Sequence, residues 1–182
     1  CELAEIINII ICCCNEDEIR DYIDEIVNIL RALAMDPSGE VQIKACQILS
    51  QFSRTFTQLL YHFTVILARS VLLPLVSKKS KVKIAAMHAL GNIMYCGAWK
   101  YTVDAMEVLV GHRDPNLVPI RDFFGDGARI NYLAILTKDP KPSVREVFIQ
   151  LIGNWLISLP DRWDHHSRLI PYLITGLFDT DD

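Results

Sequence analysis

The sequence predicts an all-α solenoid, a stack of antiparallel helix pairs, on two observations: one apolar pattern occurs three times, and each copy follows the same kind of break. Taking Val82 as zero, apolar side chains fall at offsets 0, +4, +7, +8 and +11, namely Val82, Ala86, Ala89, Leu90 and Ile93. On a helix of about 3.6 residues per turn these form one continuous stripe, which must be buried. The same offsets from Val41 give Ala45, Ile48, Leu49 and Phe52, and from Val144 they give Phe148, Leu151, Ile152 and Trp155. The breaks are Asp36-Pro37-Ser38-Gly39, Ser77 to Ser80 and Asp139-Pro140-Lys141-Pro142-Ser143. Their Pro and Ser residues stop one helix and start the next.

Val41 and Val82 are 41 residues apart. That step lies within the roughly 40–47 of HEAT and armadillo units and exceeds the ~34 of tetratricopeptide or ~33 of ankyrin units. The segments DPSGEVQIKACQIL, SKKSKVKIAAMHALG and DPKPSVREVFIQLIG also resemble the second helix of HEAT repeats, in which Val and a basic residue precede an Ala-rich stripe. The expected fold is therefore a HEAT-repeat α-solenoid, a right-handed stack of antiparallel helix pairs.

Taken in order, residues 1–14 read as the inner helix of a partial repeat, with Leu3, Ile6, Ile7, Ile10 and Ile11 on its apolar side. Asn15 to Glu18 make an acidic turn suited to the positive end of the next helix. Ile19 to Ala34 follow as an outer helix burying Tyr22, Ile23, Ile26, Ile29, Leu30 and Leu33, and the inner helix Glu40 to Ser53 completes a repeat over 19–54. The repeat over 57–96 pairs an outer helix from Thr57 to Val76, bent at Pro74, with the stripe of Val82. Val82 and Val144 are 62 residues apart, so the repeat over 99–158 carries an insertion. Gly111 to Gly127 has three glycines, two prolines and no helical period, which is a loop signature, and a second helix runs from Ala128 to Leu136. Residues 164–182 form the outer helix of a truncated repeat, in which Pro171 matches Pro74. Neither end reads as the polar cap that closes a solenoid, so the chain is expected to be a fragment of a longer array.

Composition narrows the function. Hydrophobic residues make up 51% and the mean hydropathy is +0.24, yet no apolar run reaches the ~18–20 residues of a membrane span. A net charge of −4 offers no basic surface for nucleic acid. The six cysteines, at 1, 12, 13, 14, 46 and 96, show no zinc spacing and read as thiols of a reducing compartment. Gly125-Asp126-Gly127 lacks the Lys-Ser/Thr of a phosphate-binding loop and reads as a turn. Asp161, Asp164, His165 and His166 read as helix-capping and surface residues rather than a metal or acid–base site. No residue is a catalytic candidate, and no cofactor, metal or small-molecule substrate is expected.

The expected role is protein binding, on two sets of residues. Helix geometry places Gln42, Lys44, Gln47, Lys83, His88, Asn92, Arg145, Glu146 and Gln150 on the solvent side of the inner helices. Of these, Lys44, Lys83, His88, Asn92, Arg145 and Gln150 are the candidate contact residues. The inserted loop adds Arg113, Arg121, Phe123 and Phe124, since interface anchors favour aromatic and Arg side chains. The same two Phe residues fit a second role, pinning the loop to the solenoid. Lys78, Lys79, Lys81 and Lys83 read either as a solvated turn or as a contact for an acidic partner.

A narrower resemblance lies between Val144 and Leu173. Gly153-Asn154-Trp155-Leu156, Leu159-Pro160-Asp161-Arg162 and Leu169-Ile170-Pro171-Tyr172-Leu173 follow one another as they do in the dynein axonemal assembly factor 5 family, also called HEAT-repeat-containing protein 2. This resemblance implies a cytoplasmic, non-catalytic scaffold for pre-assembly of axonemal dynein arms for motile cilia. It also implies axonemal dynein chains and co-assembly chaperones as partners, with no nucleic acid and no membrane. The alternative is a HEAT adaptor of another class, a nuclear transport receptor or a phosphatase scaffold. An enzyme elsewhere in a longer chain stays open.

Overall fold

The structure, a computed structural model, describes residues 2–97, 99–111 and 130–179. Among them the helices are α1 (Glu2–Cys13), α2 (Glu16–Arg20), α3 (Ile23–Ala34), α4 (Gly39–Thr55), α5 (Thr64–Ser70), α6 (Leu72–Leu75), α7 (Ser80–Cys96), α8 (Lys100–Val110), α9 (Tyr132–Thr137), α10 (Pro142–Ser158) and α11 (Arg162–Thr175). Short 3-10 turns occupy Tyr61–Phe63 and Gly176–Phe178. Among the described residues no strand occurs.

The helices form two layers. In one, α1 packs on α4, α4 on α7, and α7 on α10; in the other, α3, α5, α8, α9 and α11 follow one another. The three stripes read from sequence lie between the layers. Ala45, Ile48, Leu49 and Phe52 are buried, as are all five members from Val82 to Ile93 and all five from Val144 to Trp155, while Val41 is half-buried. Each large side chain so buried contributes roughly 1.5–3 kcal/mol. The fold is the all-α helical-repeat solenoid that the spacing predicts.

The breaks share one device. The carboxylate of Asp36 accepts from the Ser38 amide at 2.7 Å, that of Asp139 accepts from the Lys141 amide at 3.0 Å, and the hydroxyl of Ser77 accepts from the Lys79 amide at 3.3 Å. A short polar side chain that bonds two residues ahead turns the chain into the next helix. Asp36, Ser77 and Asp139 each lie five residues before the Val that opens a stripe.

The second layer is more broken than its periodicity predicts. The helix expected over 19–34 starts at Glu16, where Asn15 and Glu18 bond each other's backbone amides in a capping box at 3.0 and 2.8 Å, and it breaks at residues 21–22. Tyr22 lies at that break and is exposed instead of buried. The helix expected over 57–76 is divided into the 3-10 turn, α5 and α6. Hydroxyls explain this in part: Thr64 Oγ1 donates to the Tyr61 carbonyl at 3.0 Å and Ser70 Oγ to that of Leu67 at 2.6 Å. Pro74 then removes the amide that would have bonded the Ser70 carbonyl. In α1 the buried residues are Ala4, Ile7 and Ile11, whereas Leu3 and Ile6 are exposed.

Two connections depend on glycine or strain. A Cβ on Gly97 would lie 2.7 Å from the Thr102 amide nitrogen and 2.8 Å from Thr64 Cγ2, so only glycine lets α7 end against α8 and α5. Trp99 follows with φ of 57°, the one positive φ outside glycine among the described residues. The helix expected over 128–136 begins at Tyr132, where the Asn131 side chain accepts from the Ala134 amide at 2.9 Å. The loop expected at 111–127 lies outside the described residues apart from Gly111.

Candidate functional site

Repeat register decides which polar residues of α4, α7 and α10 meet solvent. The position one after each opening Val is occupied by Gln42, Lys83 and Arg145, and at Lys83 and Arg145 it faces the next helix pair. Lys83 Nζ donates to the carboxylate of Asp139 in the turn before α10; the Lys83 side chain is 14% exposed and that of Asp139 is 2% exposed. Arg145 does the same one step on. Its Nε and Nη2 grip both oxygens of Asp179 at 2.6 and 2.8 Å, and its Nη1 donates to the Asp139 carbonyl at 2.8 Å. Gln42 is buried. The expectation that Gln42, Lys83 and Arg145 point to solvent is therefore corrected. A helical wheel treats every polar position alike, whereas this position is turned toward a neighbouring repeat.

The positions six and ten after each opening Val do face solvent. The first row is Gln47, His88 and Gln150, all exposed; the second is Gln51, Asn92 and Asn154, of which Asn92 is half-buried. Lys44 is half-buried beside them and Glu146 is exposed. Between α7 and α10 the surface sinks into a groove of about 280 Å³ that brings together His88, Asn92, Gln150 and Asn154 over Leu151 and Trp155. Close approach of the helices shapes this groove: Trp155 Nε1 donates to the Gly91 carbonyl at 3.4 Å, and a Cβ on Gly91 would lie 3.1 Å from Leu151 Cδ1. A second depression is lined by the α4 residues Gln47, Ser50, Gln51, Arg54 and Thr55.

The side chains in these rows are partly oriented. Asn92 Nδ2 donates to Ser50 Oγ at 2.7 Å and to the His88 carbonyl at 3.3 Å; Gln51 Nε2 donates to Cys12 Sγ at 3.0 Å; Gln150 Nε2 donates to Glu146 Oε1 at 3.3 Å. Sequence reasoning named His88, Asn92 and Gln150 and missed Gln51 and Asn154. The signal that finds them is their equal offset from Val41 and Val144. Arg113, Arg121, Phe123 and Phe124 lie outside the described residues.

Two buried polar clusters lie elsewhere. His165 and Asp161 are expected at the surface but are 1% and 2% exposed, with Nε2 and Oδ2 3.0 Å apart. The reason is packing: Asp161 stands at the start of α11 and His165 is one turn on, in a helix that packs along α10. The free oxygen and nitrogen of this pair have no partner among the described residues. Burial also pushes the thiols of Cys46 and Cys96 up to about 12, opposed at Cys96 by a hydrogen bond with Ser53. Such thiols are protonated and unreactive at neutral pH. Among the described residues no three His, Cys, Asp or Glu side chains are grouped to hold a metal ion, and no helix is long and apolar enough to cross a membrane.

Comparison with known proteins agrees with this architecture. A family model described as "Dynein axonemal assembly factor 5-like, TPR repeats" matches residues 1–112 and 128–182. The description classes the units as TPR, which are also antiparallel helix pairs; here α4 and α7 begin 41 residues apart. Dynein axonemal assembly factor 5 of Xenopus laevis is 22% identical over 97% of the chain, and the Mus musculus and Homo sapiens proteins of that name are each 24% identical over 87%. The chain spans 18% of the Xenopus protein and 16% of each mammalian one. No solved structure matches it.

Proposed function

The chain belongs to the dynein axonemal assembly factor 5-like family, and from that premise we propose that it is a non-catalytic scaffold in the cytoplasmic pre-assembly of axonemal dynein arms. The observation that carries this reading is the family match, which spans both sides of the inserted segment and includes the described helices. The names of the three relatives point the same way. On this reading the solvent face of α4, α7 and α10 receives the protein clients, with His88, Asn92 and Gln150 at its centre and Lys44 at its edge. Lys83 and Arg145 serve the face by fixing the stagger between helix pairs. A stack of helix pairs presents such a face over a length no single helix reaches.

Affinity capture of the protein from the cytoplasm of ciliated cells, followed by mass spectrometry, tests the proposal. Axonemal dynein chains and chaperones are the expected catch. Nuclear transport cargo or phosphatase subunits without dynein would overturn it and leave the solenoid standing.

A further inference from the structure

Three side-chain amides occupy one register across three adjacent helices: Gln51 on α4, Asn92 on α7 and Asn154 on α10. We propose that this row holds a partner protein through the main chain of an extended, polyproline II-like segment laid across the helices. The proposal rests on the reading of this face as the client-binding one and names the form the client takes there.

The orientation of the amides carries the argument. Asn92 turns its NH2 inward, to the Ser50 hydroxyl and the His88 carbonyl. The carbonyl is an acceptor alone, so the NH2 and not the oxygen must point to it. Gln51 likewise directs its NH2 to Cys12. The oxygens of both, and the whole amide of Asn154, make no hydrogen bond among the described residues, and they present acceptors outward in register. Main-chain N–H groups are the donors every protein segment carries, and in a helix they are already used.

Spacing selects the conformation. Packed helices lie about 8–10 Å apart. A polyproline II segment rises ~3.1 Å per residue with three residues per turn, so its N–H groups face one side about every 9 Å and none is bonded internally. One N–H therefore meets one amide oxygen per helix, and residues at those positions are not proline, which lacks the donor. A partner side chain between two such positions has the groove between α7 and α10, floored by Leu151 and Trp155, to enter. The two rows carry no acidic residue, and Lys44 and Arg54 are the basic residues nearest them on α4. Recognition here is accordingly weakly dependent on salt.

Fluorescence anisotropy of labelled peptides with the protein tests this. One set tiles axonemal dynein chains and a second set is unrelated in sequence. For peptides that bind, N154A is expected to weaken binding about fivefold, the loss of one hydrogen bond worth about 1 kcal/mol. Asn154 is exposed and makes no internal bond, so this variant keeps its melting temperature, whereas N92A also loses the Ser50 contact. Methylating a peptide N–H at three-residue intervals should cost as much, and raising salt should cost little. Unchanged affinity in N154A and Q51A, tighter binding by helix-stapled peptides, or no binding by either set would overturn the proposal. Dynein chains captured by the protein but indifferent to N154A would sink this inference and spare the assembly reading. Binding by the unrelated set alone, sensitive to N154A, would do the reverse.

Discussion

Lys83 on α7 donates to Asp139, the residue whose carboxylate also folds the turn into α10, so one ion pair fixes both the turn and the stagger of two helix pairs. Arg145 and Asp179 repeat the relationship one step along. In both cases the basic residue follows the Val that opens a stripe, and the acid stands at the end of the next unit's outer helix or the turn beyond it.

Removing the buried partner is the costly change. Asp139→Ala leaves the Lys83 ammonium nearly enclosed with no counter-charge, and it also loses the turn bond to Lys141. A loss of about 3 kcal/mol is expected in urea denaturation. Arg145→Ala should cost about 1 kcal/mol, because Asp179 is more exposed and water replaces the arginine there. Lys83→Met leaves the still more deeply buried Asp139 carboxylate without its counter-charge, though it keeps the turn bond to Lys141, and should cost a comparable amount.

Glycines at one register are predicted to respond differently. Gly91 and Gly153 both lie nine residues after an opening Val. A Cβ at Gly153 meets nothing within 4 Å, so Gly153→Ala should stabilise by about 0.5–1 kcal/mol through helix propensity. Gly91→Ala places a methyl 3.1 Å from the buried Leu151, which has little room to give, and should bring no gain. Thermal melts of the two variants decide.

Buried thiols give an alkaline limit. The folded-state values of Cys46 and Cys96 are raised to about 12 from an ordinary 9. Between those values the unfolded chain has lost protons that the folded chain keeps, so stability falls as pH rises through that window and is fully present below it. The double variant Cys46→Ala, Cys96→Ala should lose less stability between pH 9 and 12 than the parent. At neutral pH iodoacetamide should label the exposed Cys12 and Cys13 and spare Cys46 and Cys96.

Trp155 is the largest of the fully buried side chains and forms the floor of the groove. Trp155→Ala should cost about 3–5 kcal/mol. Trp155→Phe should cost less while losing the bond to the Gly91 carbonyl, and comparing the two by urea denaturation separates packing from hydrogen bonding.

The layer of α4, α7 and α10 was legible because burial obeys a period: Val82 to Ile93 and their counterparts from Val144 to Trp155 are the core that the stripe predicts. The partners of polar residues were not legible. Lys83 and Asp139 stand 56 residues apart, and no local pattern joins them. Tyr22 reads as part of an apolar stripe, yet no Gly or Pro marks the break that turns it outward. His165 reads as a surface residue because its polarity, not its position against α10, is what a sequence displays. Of the proposed binding face, His88, Asn92 and Gln150 followed from periodicity, while Gln51 and Asn154 emerged only when the three helices were set in one register.

Hydrogen exchange of the protein, alone and with axonemal dynein chains, tests most directly that this face receives the client. Slowed exchange is expected in α7 around His88 to Tyr95 and in α10 around Gln150 to Ser158, with α8 and α11 unchanged. Protection confined to α8 and α11, or no protection anywhere while dynein is bound, would contradict it.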